Sequence, residues 1–309
     1  MSPQPIGRQS RVASRQSTIV TLLFLAVATP AGATLSEAPR LAAVYDAILD
    51  AAFDRVDAQL KQTCPPAPLE ACTALEAVSL WWQILINPES RALDGRFNTV
   101  AAAAIAAGER WTKREPQSAE AWFYLAGAYA PLVQWRVLRG ERVAAARSGN
   151  TIRMALEHAL QLDPGLDDAY FGIGVYHYYA DVAPTAAKIL RWLLWLPGGD
   201  RVKGLQEMLQ ARQRGRLLNG EADFQLHLIY LWYEKKPAQA LALLEALDAR
   251  HPTNPLFLRR IADIHDRWLH DRRASEMAWQ TLLDRSRAGR VFDAAGSERR
   301  ARLALAKLF

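Results

Sequence analysis

The spacing between large aromatic residues and prolines constrains this chain more than any other feature. Trp122, Leu125, Ala126 and Tyr129 share one helical face, and Leu156, Ala159 and Pro164 follow. Phe224 opens a second run with Ala240, Leu244, Leu247 and Pro252, its proline 28 residues after the aromatic. Pro116, Pro164 and Pro252 each stand six residues before a large residue, Trp122, Tyr170 and Leu258 respectively. Apolar residues recur at three and four with no period-2 alternation, which predicts helices and argues against a sheet. A helix pair built this way buries one face only and must stack on a neighbour.

The pattern resembles the tetratricopeptide repeat (TPR), a helix–turn–helix of about 34 residues with small residues at the helix crossing and a proline at its end. The likeness covers roughly residues 90–288 and is strongest at 119–198 and 221–265. Phe224 to Leu258 is 34 residues. Trp122 to Tyr170 is 48, which is 14 more and places an insertion around Pro131–Asn150. Tyr170 to Phe224 is 54, which is 20 more, a surplus assigned to Leu196–Asp200 and a short helix Arg201–Arg214. The unit from Leu258 carries Ser286 where the proline is expected. The resemblance implies an all-α, right-handed superhelical solenoid of TPR-like helix hairpins, closed by a helix at Ser297–Leu308. The stretch Asp168–Tyr179, with Gly199-Asp200-Arg201 downstream, is similar to a group of exported bacterial repeat proteins and supplies no reaction.

Residues 1–33 read as a secretory leader: Arg8, Arg11 and Arg15, a short apolar core Ile19–Ala28, then Ala31-Gly32-Ala33 as an A-x-A cleavage pattern. An uncleaved N-terminal anchor is the alternative. Cleavage after Ala33 would lower the net charge from +6 to +3, because the leader holds three arginines and no acid. That mild charge leaves no footprint for nucleic acid. Hydrophobic residues make up 50%, enough for a sizeable core, and no later stretch reads as the roughly 18 apolar residues of a membrane span. The two cysteines, Cys64 and Cys72, would meet an oxidising compartment on export and are expected to be bridged, pinning the junction of two N-terminal helices. Free thiols are the alternative. The expected organisation is a leader (1–33), an N-terminal helical region with a degenerate repeat (34–116), and TPR-like repeats with insertions and a capping helix (117–309), periplasmic or secreted.

In the repeat family the positions of Phe123, Phe171, Gln225 and Arg259 face the concave groove. So do Gly127, Val175, Ile229 and Asp263 one turn later, and Tyr178 and Trp232 a further turn on. The resemblance thus implies a partner-binding surface of Phe123, Phe171, Tyr178, Gln225, Trp232, Arg259 and Asp263. Packing between repeats is the competing reading of the aromatics. The Lys and Asn that clamp acidic C-terminal peptides in related groups are missing from these positions. His177 and Asp181 lie four apart on one helix face, where they could hydrogen bond as a base and its orienting acid. No nucleophile motif accompanies them, which favours a structural histidine. Asp200 is expected to cap a helix, with an anion site at that end as the lesser reading. Arg136, Arg139 and Arg142, spaced by three, read as a solvated face. Trp192 and Trp195 sit in an apolar helix, read as buried, with weak membrane-surface contact as its alternative.

No H-E-x-x-H, G-x-S-x-G, P-loop or complete G-x-G-x-x-G occurs, and six scattered histidines show no ligand spacing. No metal or cofactor is expected. The reading is a non-catalytic scaffold that binds a peptide or protein partner in the cell envelope or outside the cell. The alternatives are a small-molecule or lipid-binding protein with an aromatic chamber around Tyr178 and Trp232, and an enzyme using His177 and Asp181. A deep closed pocket would favour a small molecule, and an open groove a peptide.

Overall fold

Helical recurrence of the apolar residues is matched by thirteen helices, with no strand among the described residues. The structure is a computed structural model and describes residues 1–4, 35–183 and 197–308. The chain divides into two units, Met1–Ala31 and Gly32–Phe309, and every helix below belongs to the second. The leader, its cleavage pattern and the Trp192–Trp195 segment lie outside the described residues.

The helices are α1 (Ala38–Leu49), α2 (Phe53–Thr63), α3 (Leu69–Ile86), α4 (Asp94–Arg114), α5 (Ala119–Arg139), α6 (Arg142–Leu162) and α7 (Ala169–Val182). They continue as α8 (Arg201–Arg214), α9 (Asn219–Trp232), α10 (Pro237–Arg250), α11 (Pro255–Arg267), α12 (Arg272–Arg287) and α13 (Ala294–Leu308). Side-chain caps fix several starts: Ser118 accepts from Ala121 N–H, Asp200 from Lys203, Asn254 from Leu256 and Asp271 from Ala274. Neighbours pack pairwise as α5 on α6, α7 on α8, α9 on α10 and α11 on α12, and each pair touches the next. The connection between α5 and α6 is Gly140 and Glu141 alone, so the two helices run antiparallel. Gly140 ends α5 with φ of 84°, a conformation in which a Cβ would be strained.

The irregular spacings have structural causes. Helices α5 and α6 are 21 residues each, against 14 each in α9 and α10. The 14-residue surplus expected around Pro131–Asn150 takes the form of about two extra turns on each helix. Pro131 sits inside α5. Arg201–Arg214, expected as a short helix, is α8 and packs against α7. Ser286, in place of the repeat proline, lies in the last turn of α12, buried, its hydroxyl donating to Leu282 O at 2.7 Å.

The arginine stripe is not simply solvated. Arg139 reaches back to the α3–α4 turn, donating to Pro88 O at 2.8 Å, Ser90 O at 3.0 Å and Asp94 Oδ1 at 2.8 Å. The long α5 is thereby tied to the preceding helices. Helix α3, 18 residues long, is also apolar enough by composition to cross a membrane, against the sequence expectation. Its apolarity has a core explanation, since Leu75, Leu80, Trp82, Ile84 and Ile86 are all buried against other helices. Cys64 and Cys72 form a disulfide with sulfurs 2.05 Å apart, joining the end of α2 to the first turns of α3.

The N-terminal helices also meet the far end of the chain. Trp82 of α3 is fully buried against Phe224 of α9, ring centroids 4.8 Å apart, and against Phe257 of α11 at 6.1 Å. Asn254, buried at the start of α11, donates to Leu49 O of α1 at 2.7 Å while its carbonyl caps α11. Arg259 donates to Ile86 O, the end of α3, at 2.8 Å. Phe53 of α2 makes an edge contact with Phe292 at 4.8 Å. Hence α1–α3 lie against the first helices of the later hairpins, and a cleft remains where α3 faces α5 and α7.

Candidate ligand cleft

The cleft is an aromatic-walled space of about 90 Å³. Trp81 and Val78 come from α3, Phe123, Tyr124 and Gly127 from α5, and Phe171 from α7. Tyr45 of α1 and Glu221 of α9 close its inner end. The 3.6-residue period explains why α5 contributes Phe123 and Gly127, one turn apart on one face. Gly127 leaves room there, because a Cβ built on it would meet nothing within 4 Å.

Two polar atoms in this wall are unpaired among the described residues. The Trp81 indole N–H and the Tyr124 hydroxyl are both buried without a hydrogen-bond partner. Burial, with the nearby Glu120 and Asp168 charges, pushes the Tyr124 phenol well above its usual range, so it stays a protonated donor. An unmet buried donor costs about 1–3 kcal/mol, a cost that a bound acceptor would relieve.

Glu221 lies beneath them. One carboxylate oxygen accepts from the Tyr45 hydroxyl at 3.0 Å and from the Trp82 indole at 3.2 Å. Burial raises its carboxyl to about 7, and these two hydrogen bonds only partly oppose the rise. The folded protein therefore binds this proton more tightly than the unfolded chain, whose glutamates titrate near ~4.3. Its stabilising share is complete below the unfolded value and is lost as pH rises through about 7. Glu221→Gln keeps a carbonyl acceptor and cannot ionise. Relative to the variant, the wild type should lose melting temperature between about pH 5 and about pH 8. Parallel melting profiles over that range would count against a protonated Glu221.

The other expected site residues disperse. Phe123 and Phe171 share the cleft. Tyr178 is fully buried, its hydroxyl donating to Glu234 at 2.5 Å, and Arg201 holds the same carboxylate with two bonds of 2.8 Å. Gln225 donates to the Tyr179 hydroxyl at 2.8 Å. Trp232 is 51% exposed at the end of α9 and meets Trp268 edge-on at 4.9 Å, while the next residue, Tyr233, packs edge-on against Tyr178 at 5.9 Å. Arg259 is engaged with α3, and Asp263 is half-buried, its carboxyl raised by burial against the pull of Arg267, Arg260 and Arg259. His177 pairs not with Asp181 but with Glu207 of α8 at 2.7 Å, and Asp181 accepts instead from Arg201 N–H at 3.1 Å. The reason is the close crossing of α7 and α8, which brings Glu207 onto the His177 face.

Trp81, Tyr124 and Glu221 were not legible as site residues. Trp81 belongs to the region outside the strongest repeats, Tyr124 lies one position from the groove register, and Glu221 resembles an ordinary first-turn acid. The adjacent Trp81-Trp82 was the available signal, since neighbouring helical residues point to different surroundings. Comparison with protein-family models gives no match, and comparison with curated proteins gives none either.

Proposed function

We propose that this chain is a non-catalytic binding protein of the cell envelope or exterior, which captures a protein or peptide partner by seating one apolar side chain in the cleft between α3, α5 and α7. In this reading the hairpins α5–α6 to α11–α12 form a TPR-like right-handed superhelix, with α1–α3 laid along part of its inner face. Volume is the observation that carries it. About 90 Å³ suits one side chain, whereas sites for whole small molecules or lipids measure roughly 300–1,000 Å³. The Trp81 and Tyr124 donors suit a backbone carbonyl beside the anchor. The disulfide is compatible with export.

Gly127→Leu tests this reading, because Gly127 lines the cleft and a Cβ there meets nothing within 4 Å, so a larger side chain is expected to extend into the anchor space. Peptides selected from a random library on the wild-type protein should share one aliphatic or aromatic position. They should lose about 30-fold in affinity for the variant, the scale of one hot-spot side chain. Selected peptides that bind both proteins equally, or no selection above background, would overturn it.

A further inference from the structure

A second cleft opens where α1 and α2 face the α8–α9 turn and the end of α10. It holds about 540 Å³, within the range of small-molecule sites. Its charges separate into engaged and free groups. Arg55 is bound to Asp50 at 2.8 Å, and Arg250 to Asp223 at 2.6 Å. Asp46 and Arg216 also line the space, and the side chain of neither enters an ion pair or hydrogen bond among the described residues. Asp223 is shared between Arg250 and Arg212, so a partial positive charge persists at Arg250 beside the unpaired Asp46 and Arg216.

The wall also carries unmet polar atoms. His251 is 5% exposed, and its Nε2 is buried with no partner. Gln59 Oε1 is buried and unpartnered on the α2 side. Burial holds His251 below its ordinary titration range, with Arg250 acting the same way and Asp46 and Asp50 opposing, so the ring adds no charge at neutral pH. The site thus offers unpaired charges of opposite sign, an amide acceptor and a neutral imidazole.

We propose that this cleft binds a small zwitterion of the amino-acid or short-peptide class, its ammonium set against Asp46 and Gln59 and its carboxylate against Arg216. A plain anion would leave Asp46 facing it, and a plain cation would leave Arg216. Opposite free charges on one small space select a ligand that carries both.

Calorimetric titration of the purified protein with the twenty free L-amino acids and L-alanyl-L-alanine tests this. At least one member should bind, and its N-acetylated and C-amidated forms should each bind about tenfold more weakly or worse, the loss expected for one charge-assisted bond. Asp46→Asn and Arg216→Gln, both at exposed positions, should reproduce that loss with unchanged melting temperatures. Gly127→Leu should leave this binding intact, which separates it from the peptide-anchoring cleft. Binding of succinate or putrescine as tightly as the zwitterion, absence of binding by every member, or indifference to both substitutions would overturn the proposal.

Discussion

Gly174→Leu is expected to destabilise the protein by about 3 kcal/mol or more, and Gly204→Leu by a similar amount. The two glycines sit where α7 and α8 cross. A Cβ on Gly174 would lie 2.7 Å from Gly204 O and 2.9 Å from Met208 N; one on Gly204 would lie 2.6 Å from Gly174 O and from Tyr178 N. These obstacles are backbone atoms, so the helices must part. Parting them would strain the His177–Glu207 bond and the burial of Met208 and Tyr178. Glycine inside a helix ordinarily costs up to about 1 kcal/mol against alanine, so a substitution without a clash should help. Gly127→Leu, with nothing within 4 Å of its Cβ, is the matched control and should melt at or above the wild-type temperature. Urea unfolding of the three variants decides the matter: equal midpoints would mean that α7 and α8 do not cross this closely.

Small residues at a helix crossing were visible in the pattern around Tyr170, because glycine at two helical positions has few other uses. The partner at that crossing was not visible. Gly204 belongs to a helix that the 34-residue spacing assigns to surplus chain, and spacing cannot distinguish an insertion from an extended hairpin. The same limit applies to α5 and α6. Pro131 reads locally as a helix stop, yet α5 continues through it, packed against α6 and anchored by Arg139. The fold-back of α1–α3 is harder still. Tyr45 meets Glu221 across 176 positions and Asn254 meets Leu49 across 205, and neither pair leaves a local signature. Phe123, Gly127 and Phe171 could be grouped on one side from register alone, since one helix face repeats, although the same register grouped Gln225 and Trp232 with them and those two do not line the cleft. The donors that distinguish the cleft from a packing seam come from helices brought in by tertiary contact.

Asp168→Ala is expected to cost about 4 kcal/mol. The Asp168 carboxylate is buried just before α7 and accepts three backbone N–H groups from the turn into α9. Arg216 donates to Oδ2 at 2.9 Å, Leu217 to Oδ1 at 2.9 Å and Leu218 to Oδ1 at 2.8 Å. Gly215 is part of the same arrangement, because a Cβ there would stand 2.6 Å from Oδ1. Truncation leaves three donors without acceptors at about 1–3 kcal/mol each, reduced by whatever water enters. For a chain of this size the melting temperature should fall by on the order of 10 °C. Asp168→Asn keeps one oxygen able to accept from Leu217 and Leu218 while its amide opposes the Arg216 N–H, so an intermediate loss is expected. Asp167→Ala is the comparison, because that neighbour makes one side-chain bond, to Gln210 at 2.8 Å, and should cost about 1 kcal/mol. The turn that Asp168 holds also begins the helix carrying Glu221. Asp168→Ala should therefore weaken the pH dependence attributed to Glu221 as well as lower stability. If Asp168→Ala and Asp167→Ala melt together, the carboxylate is not what holds α9 against α7.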